Sequence, residues 1–120
     1  MMNLTFYTNK NEINSIEVSE DSYKKLAEAG LENLADFNDI KIQIDGEEYE
    51  ISATELIEES RKKFISFIEM ERQKELEILF ANMDGNPTIK EIRKEFSYVK
   101  YLTEIYRQFS CQDNIYFSYD

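Results

Sequence analysis

Two alternating runs, Ile40-Lys41-Ile42-Gln43-Ile44 and Glu47-Glu48-Tyr49-Glu50-Ile51, meet at Asp45-Gly46. Asp-Gly is the pair that best tolerates the positive φ angles of a two-residue type I′ turn, so residues 40–51 read as a tight β-hairpin whose register the turn sets. Ile44 then lies opposite Glu47, Gln43 opposite Glu48, Ile42 opposite Tyr49, Lys41 opposite Glu50 and Ile40 opposite Ile51. One face carries Ile40, Ile42, Ile44, Tyr49 and Ile51. The other carries Lys41, Gln43, Glu48 and Glu50, where a single cation meets two carboxylates and the surface stays acidic.

The flanking segments supply further elements. Leu4-Thr5-Phe6-Tyr7 and Ile16-Glu17-Val18 alternate on either side of the turn-rich Thr8–Glu12, which predicts a strand pair. Ser19 precedes a run with Glu20 and Asp21 in its first turn and Gly30 at its end, the pattern of a short helix with a left-handed cap. Leu31, Leu34 and Phe37 follow at helical spacing and form one more turn over the core.

Ser52 and Glu55 have capping-box spacing, which predicts a helix from Ser52 to about Asn82 with Glu55, Glu58 and Glu59 near its positive end. Its apolar stripe is Ile57, Phe64, Ile65, Ile68, Leu76, Leu79 and Phe80, interrupted by Glu71-Arg72-Gln73-Lys74-Glu75. Unbroken, such a helix would span ~45 Å, whereas a globule of this length has a radius of gyration near ~14 Å, so a bend or a protruding end is expected. Gly85-Asn86-Pro87 breaks the pattern, and Thr88 with Glu91 opens a second long helix carrying Ile89, Ile92, Phe96, Val99, Leu102, Ile105, Tyr106 and Phe109. Gln112-Asp113-Asn114 is a turn, and Ile115-Tyr116-Phe117-Ser118-Tyr119 is a final strand that pairs back into the sheet. The expectation is one α+β domain over residues 1–120: a mostly antiparallel sheet, including the 40–51 hairpin and the C-terminal strand, with a short helix and a long helical hairpin on one face.

Charge narrows the function. The chain has 25 acidic and 14 basic residues, a net charge of −11. Residues 1–60 hold 15 of the acids and 4 of the bases, so all of the net charge lies there, and residues 61–120 hold ten of each. The clustered Lys and Arg that phosphate neutralisation requires are missing, so a nucleic-acid partner is not expected. Neither a signal peptide nor a run of about 18 apolar residues is present, so no membrane partner is expected. Cys111 is the single cysteine, which excludes an intramolecular disulfide and suits a cytoplasmic protein.

Catalytic chemistry finds little to work with. The chain has no histidine, so acid–base work near neutrality would fall to groups with strongly shifted pKa values in a desolvated cleft. Nucleophilic triads, zinc sites and glycine-rich phosphate loops have no residues to build them. Carboxylate pairs such as Glu48 with Glu50, or Glu55 with Glu59, lack the deep cleft of a glycosidase and read as solvated faces. Asn82-Met83-Asp84-Gly85-Asn86 spaces its oxygens like a calcium loop, but Pro87 and Arg93 stand where an EF-hand needs glycine and glutamate. Arg61-Lys62-Lys63 follows Glu55, Glu58 and Glu59 closely enough to pair with them. No catalytic residue, metal or cofactor is therefore expected, and the chain reads as a non-enzyme.

Eight tyrosines and eight phenylalanines with no tryptophan leave more aromatic surface than a core can take, and Tyr101, at the edge of the last helix's apolar face, is expected to be exposed. Tyrosines beside an acidic surface suit a protein interface.

In size, acidity and α+β make-up, the chain resembles as a class the immunity proteins that bacteria make against nuclease toxins. That resemblance implies an inhibitor whose Glu47, Glu48, Glu50, Glu55, Glu58, Glu59 and Tyr101 meet a basic protein partner. A second resemblance rests on Asp45-Gly46-Glu47-Glu48-Tyr49-Glu50-Ile51-Ser52 followed by Lys63-Phe64-Ile65-Ser66, a hairpin-then-helix segment similar to one in small acidic anti-CRISPR proteins. It implies a phage-encoded DNA mimic that blocks a host nuclease. The third reading is a structural or regulatory domain whose helical hairpin makes a homodimer, against which the polar residues 71–75 argue. Oligomeric state is left open.

Overall fold

The computed structural model describes residues 2–85 and 88–120. Strands β1 (Met2–Thr8) and β2 (Ile13–Val18) are followed by helix α1 (Glu20–Ala29) and a 3-10 turn at Leu31–Asn33. Then come β3 (Asn38–Ile44), β4 (Glu47–Glu55), the long helices α2 (Glu58–Asp84) and α3 (Ile89–Ser110), and β5 (Asn114–Tyr119). The five strands form one antiparallel sheet in the order β2-β1-β5-β4-β3, with the helices against one face.

Local chemistry explains most of these elements. Asp45 and Gly46 take φ angles of 52° and 81°, and the hairpin register is the one that the turn predicts, from Ile44 opposite Glu47 to Ile40 opposite Ile51. Ser19 caps α1 by accepting from the Ser22 N–H, and Gly30 ends it at φ 105°, a left-handed conformation that a Cβ would make sterically costly. In the β1–β2 turn, Thr8 Oγ1 accepts from the backbone N–H groups of Lys10 and Glu12, at 3.3 and 3.0 Å.

The C-terminal strand is central, not peripheral. β5 pairs with β1 along most of its length and with the end of β4, so Phe117 sits at the middle of the helix-covered face. Its ring lies 5.1 Å from Phe6, 5.4 Å from Phe64 and 4.9 Å from Phe109, while Phe64 and Phe109 stack at 4.6 Å. Leu4, Val18, Leu26, Leu31, Ile68, Leu102 and Ile105 complete this core.

Tertiary pairing corrects the expected helix start. Ser52 to Glu55 is strand, because Thr54 and Glu55 pair with Phe117 and Tyr116 of β5 and the Leu56 N–H bonds to the Ile115 carbonyl at 2.7 Å. The helix opens at Glu58 with Ile57 as a cap that makes no side-chain bond, so Glu58 and Glu59 lie in its first turn and Glu55 does not. Ile57 is exposed, as is Phe80, so neither belongs to the buried stripe.

No bend occurs at residues 71–75 either: α2 is continuous from Glu58 to Asp84. Two of the five polar residues point inward. Glu71 is buried and accepts from the Tyr98 hydroxyl at 3.1 Å, and Glu75 is buried 3.9 Å from Lys25, whose ammonium also stands 4.9 Å over the Tyr98 ring. Partners from α1 and α3 thus turn an interruption in the stripe into a polar seam within it. The length is accommodated by overhang, the other outcome expected, and the molecule measures 54 × 27 × 21 Å. At the other end of α2, Lys62 and Lys63 pair with Glu58 and Glu59 at 3.1 and 3.7 Å. Arg61 does not. It is buried and donates to the carbonyls of Leu56, Phe109, Cys111 and Asn114.

The second long helix starts where Thr88 and Glu91 place it: α3 begins at Ile89, and the Ile92 N–H bonds to the Thr88 carbonyl at 3.1 Å. The Glu91 side chain and the Asn86-Pro87 break, which bore on the calcium-loop comparison, lie outside the described residues. Tyr101 is half-buried against the core, not exposed, because α3 presents it toward the body.

Burial also sets a pH dependence. The phenols of Tyr98 and Tyr23 are pushed above the ordinary tyrosine range, chiefly by desolvation and then by Glu71 and Glu32 respectively. The native state therefore holds these protons where the unfolded chain, titrating at about pH 10, has released them. Their contribution to stability is intact below about pH 10 and falls as the pH climbs beyond it. In an alkaline titration, Tyr98 should ionise only as ellipticity is lost; tyrosinate absorbance that is complete while the helices remain intact would contradict this.

Candidate functional site

Strand alternation shows where the hairpin's apolar face goes. Glu55 is opposite Tyr116, and Tyr116 is opposite Tyr7, so all three point to the side of the sheet without helices. Counting back along β4 in steps of two places Ala53, Ile51 and Tyr49 on that same side, with Ile40 and Ile42 opposite the last two. β4 pairs with β5 only at its last two residues, and beyond them the hairpin leaves the central sheet. Its apolar face is therefore not part of the helix-covered core. It borders a cleft of about 290 Å³ lined by Tyr7, Ile13, Ile42, Ile44, Tyr49, Glu50 and Ile51. A second hollow of about 190 Å³, toward the β1–β2 turn, shares Tyr7, Ile42 and Ile44 and adds Glu12, Lys41 and Tyr116.

This face stays open. Tyr49 and Ile13 are each 45% exposed, and the isoleucines of the hairpin are half-buried. Around it, residues 38–50 hold five carboxylates and one cation. Lys41 pairs with Glu48 at 3.7 Å rather than with Glu50, its cross-strand neighbour, so Glu50 stands at the cleft without the cation. The Tyr49 hydroxyl donates to Glu47 at 2.6 Å, which holds that carboxylate over the hairpin end and pushes the phenol's pKa up.

The seven residues expected to meet a partner are not brought together. Glu47, Glu48 and Glu50 lie at the free end of the hairpin. Glu55, Glu58 and Glu59 lie at the other end of β4 and the start of α2, and at ~3.3 Å per strand residue Glu48 and Glu55 stand roughly 23 Å apart. Glu58 and Glu59 are also engaged with Lys62 and Lys63, and Tyr101 sits on α3. What sequence reasoning missed is the apolar half of the surface, Tyr7 and Ile13. The signal was present: each stands one step out of phase with the core residues of its own strand, Leu4 and Phe6 or Ile16 and Val18.

Among the described residues no three His, Cys, Asp or Glu side chains gather as metal ligands would, and no helix is long and apolar enough to cross a membrane. No known protein family, curated protein or solved structure matches this chain.

Proposed function

We propose that this protein is a cytoplasmic, non-enzymatic inhibitor of the immunity-protein kind, which neutralises a basic toxin or nuclease domain by covering its cationic cleft. The observation that carries the reading is the apolar, tyrosine-bearing cleft between Tyr7, Ile13 and the hairpin, lined by Glu50, with Glu47 held beside it by the Tyr49 hydroxyl and Glu48 on the reverse face of the same hairpin end. A desolvated apolar centre supplies affinity, and an acidic border speeds encounter with a basic surface and rejects acidic ones. The concentration of all net charge in residues 1–60 directs that attraction toward the sheet and hairpin and away from the helical half.

The test is to purify the tagged protein from its native cytoplasm at low salt. A basic protein should co-purify in equal amounts and come off as salt rises, and the inhibitor should abolish the nuclease or toxic activity of that protein in a reconstituted assay. A co-purifying protein whose activity is unaffected, or recovery of the chain alone, would refute the inhibitory reading.

A further inference from the structure

The helical hairpin has an outer face, and its chemistry differs from that of the rest of the molecule. Arg72 lies 4.8 Å over the Tyr106 ring, whereas Glu71, Glu75 and Tyr98 turn toward α1. Tyr106 is half-buried against the core, and Arg72, which covers its ring, marks the side of the hairpin away from α1. At 100° per residue, Leu76, Phe80 and Met83 of α2 share the Arg72 side, and Ile89, Ile92 and Phe96 of α3 share the Tyr106 side. Along the overhang this strip is bare: Phe80 is 64% exposed, Met83 53%, Ile89 71% and Phe96 56%. Singly exposed apolar residues need no explanation, but a contiguous strip with two phenylalanines does.

We infer that this outer face binds a second copy of the chain, the two hairpins forming an antiparallel four-helix bundle about a two-fold axis parallel to the helices. This goes beyond the proposed inhibitory function and does not depend on it. Charge is the first reason. A protein of net charge −11 repels its own copy across most of its surface, but residues 61–120 carry ten charges of each sign, so the hairpin is where two copies can approach. The second reason is complementarity at the edges of the strip. On α2 the outer edge carries Glu77, and on α3 it carries Lys100, both exposed. The contacts of Arg72 with Tyr106 and of Asn82 with Glu95 set the levels of the two helices, so Glu77 is level with Lys100. Within one copy the two lie on opposite edges. The proposed two-fold axis places α2 of one copy over α3 of the other and brings each acid to its base.

Area is the third reason. Two adjacent helices over the length of α3 present a face of roughly 33 Å by 20 Å, about 660 Å² before side-chain corrugation is added. A standard interface buries about 800 Å² per partner, so the face suits a dimer of moderate affinity. The polar residues 71–75, which from sequence argue against a helical interface, do not obstruct it: Glu71 and Glu75 are turned inward and Arg72 is stacked on Tyr106.

Analytical ultracentrifugation over a concentration series from micromolar to near-millimolar tests this. The wild-type chain should pass from monomer to a species of twice the mass. Phe80→Lys with Phe96→Lys should raise the dissociation constant about a hundredfold, in keeping with the loss of central aromatic anchors, while the melting temperature stays unchanged, since both side chains are mostly exposed. Glu77→Lys alone should weaken the dimer, and Glu77→Lys combined with Lys100→Glu should restore it. A chain that stays monomeric throughout, a dimer indifferent to the phenylalanine substitutions, or a charge swap that fails to restore association would overturn the assignment.

Discussion

Arg61→Met should lower the free energy of unfolding by about 4 kcal/mol, the sum of several charge-assisted hydrogen bonds lost and carbonyls left without a donor. The guanidinium reaches the carbonyls of Phe109 and Cys111 at the end of α3 at 2.7 and 2.8 Å, Asn114 at the start of β5 at 2.6 Å, and Leu56 before α2 at 3.2 Å. One side chain therefore joins the end of β4, the start of α2, the end of α3 and the central strand. Two of its acceptors lie at the negative end of the α3 dipole, which favours a cation there. Burial works against the charge and lowers the Arg61 pKa, but a guanidinium remains protonated in proteins. Arg61→Lys should recover less than half of the loss, because one ammonium cannot span a fork of acceptors facing different elements. A natural domain has about 5 to 15 kcal/mol in total, so the methionine variant approaches the limit of folding. Urea unfolding followed by circular dichroism gives the answer; a loss below about 1 kcal/mol would mean that water replaces the guanidinium at these carbonyls.

Glu48→Lys with Glu50→Lys should slow association with the basic partner by about tenfold to a hundredfold at low salt and flatten the salt dependence of the rate. Folding should be almost untouched. Both side chains are exposed, and the Lys41–Glu48 pair that is lost is a surface pair worth at most about 1 kcal/mol. Glu58→Lys with Glu59→Lys is the informative control, because those carboxylates lie at the far end of β4 and already face Lys62 and Lys63. Stopped-flow association of the purified pair should show a large effect for the hairpin variant and a small one for the helix variant. Equal effects would mean that the acidic surface acts as a whole through long-range steering and that the hairpin end is not the contact.

Where the sequence was readable, the relevant physics acted over a few residues. The Asp45-Gly46 turn set the register of β3 and β4, and Ser19 and Gly30 bounded α1, because each depends on backbone angles and hydrogen bonds within one turn. The C-terminal strand was legible from its aromatic and β-branched composition, and its pairing into the sheet followed from the need to bury it.

The misreadings share a cause. Ser52 and Glu55 satisfy the spacing of a capping box, but Ser52 pairs with Asp39 of β3, and β5, some sixty residues later, supplies the partner that makes Thr54 and Glu55 strand. The polar run at residues 71–75 is an interruption only in one dimension; Lys25 and Tyr98 come from other helices to satisfy two of its members. Arg61 looks like one of three adjacent cations until the carbonyls of four separate positions converge on it.

The α+β class, the order and nature of the elements, the tight hairpin and the concentration of negative charge in the first half all follow from local periodicity, turn chemistry and a count of charges. Long-range pairing is what turns the hairpin's isoleucines and Tyr49 toward Tyr7 and Ile13 on the side without helices, divides the carboxylates into two separate groups, and leaves the helical hairpin overhanging the body with a bare apolar face. Each of those outcomes depends on which distant segments pair, and a contact between distant segments is set by the burial that the whole chain can achieve, not by the residues on either side of it.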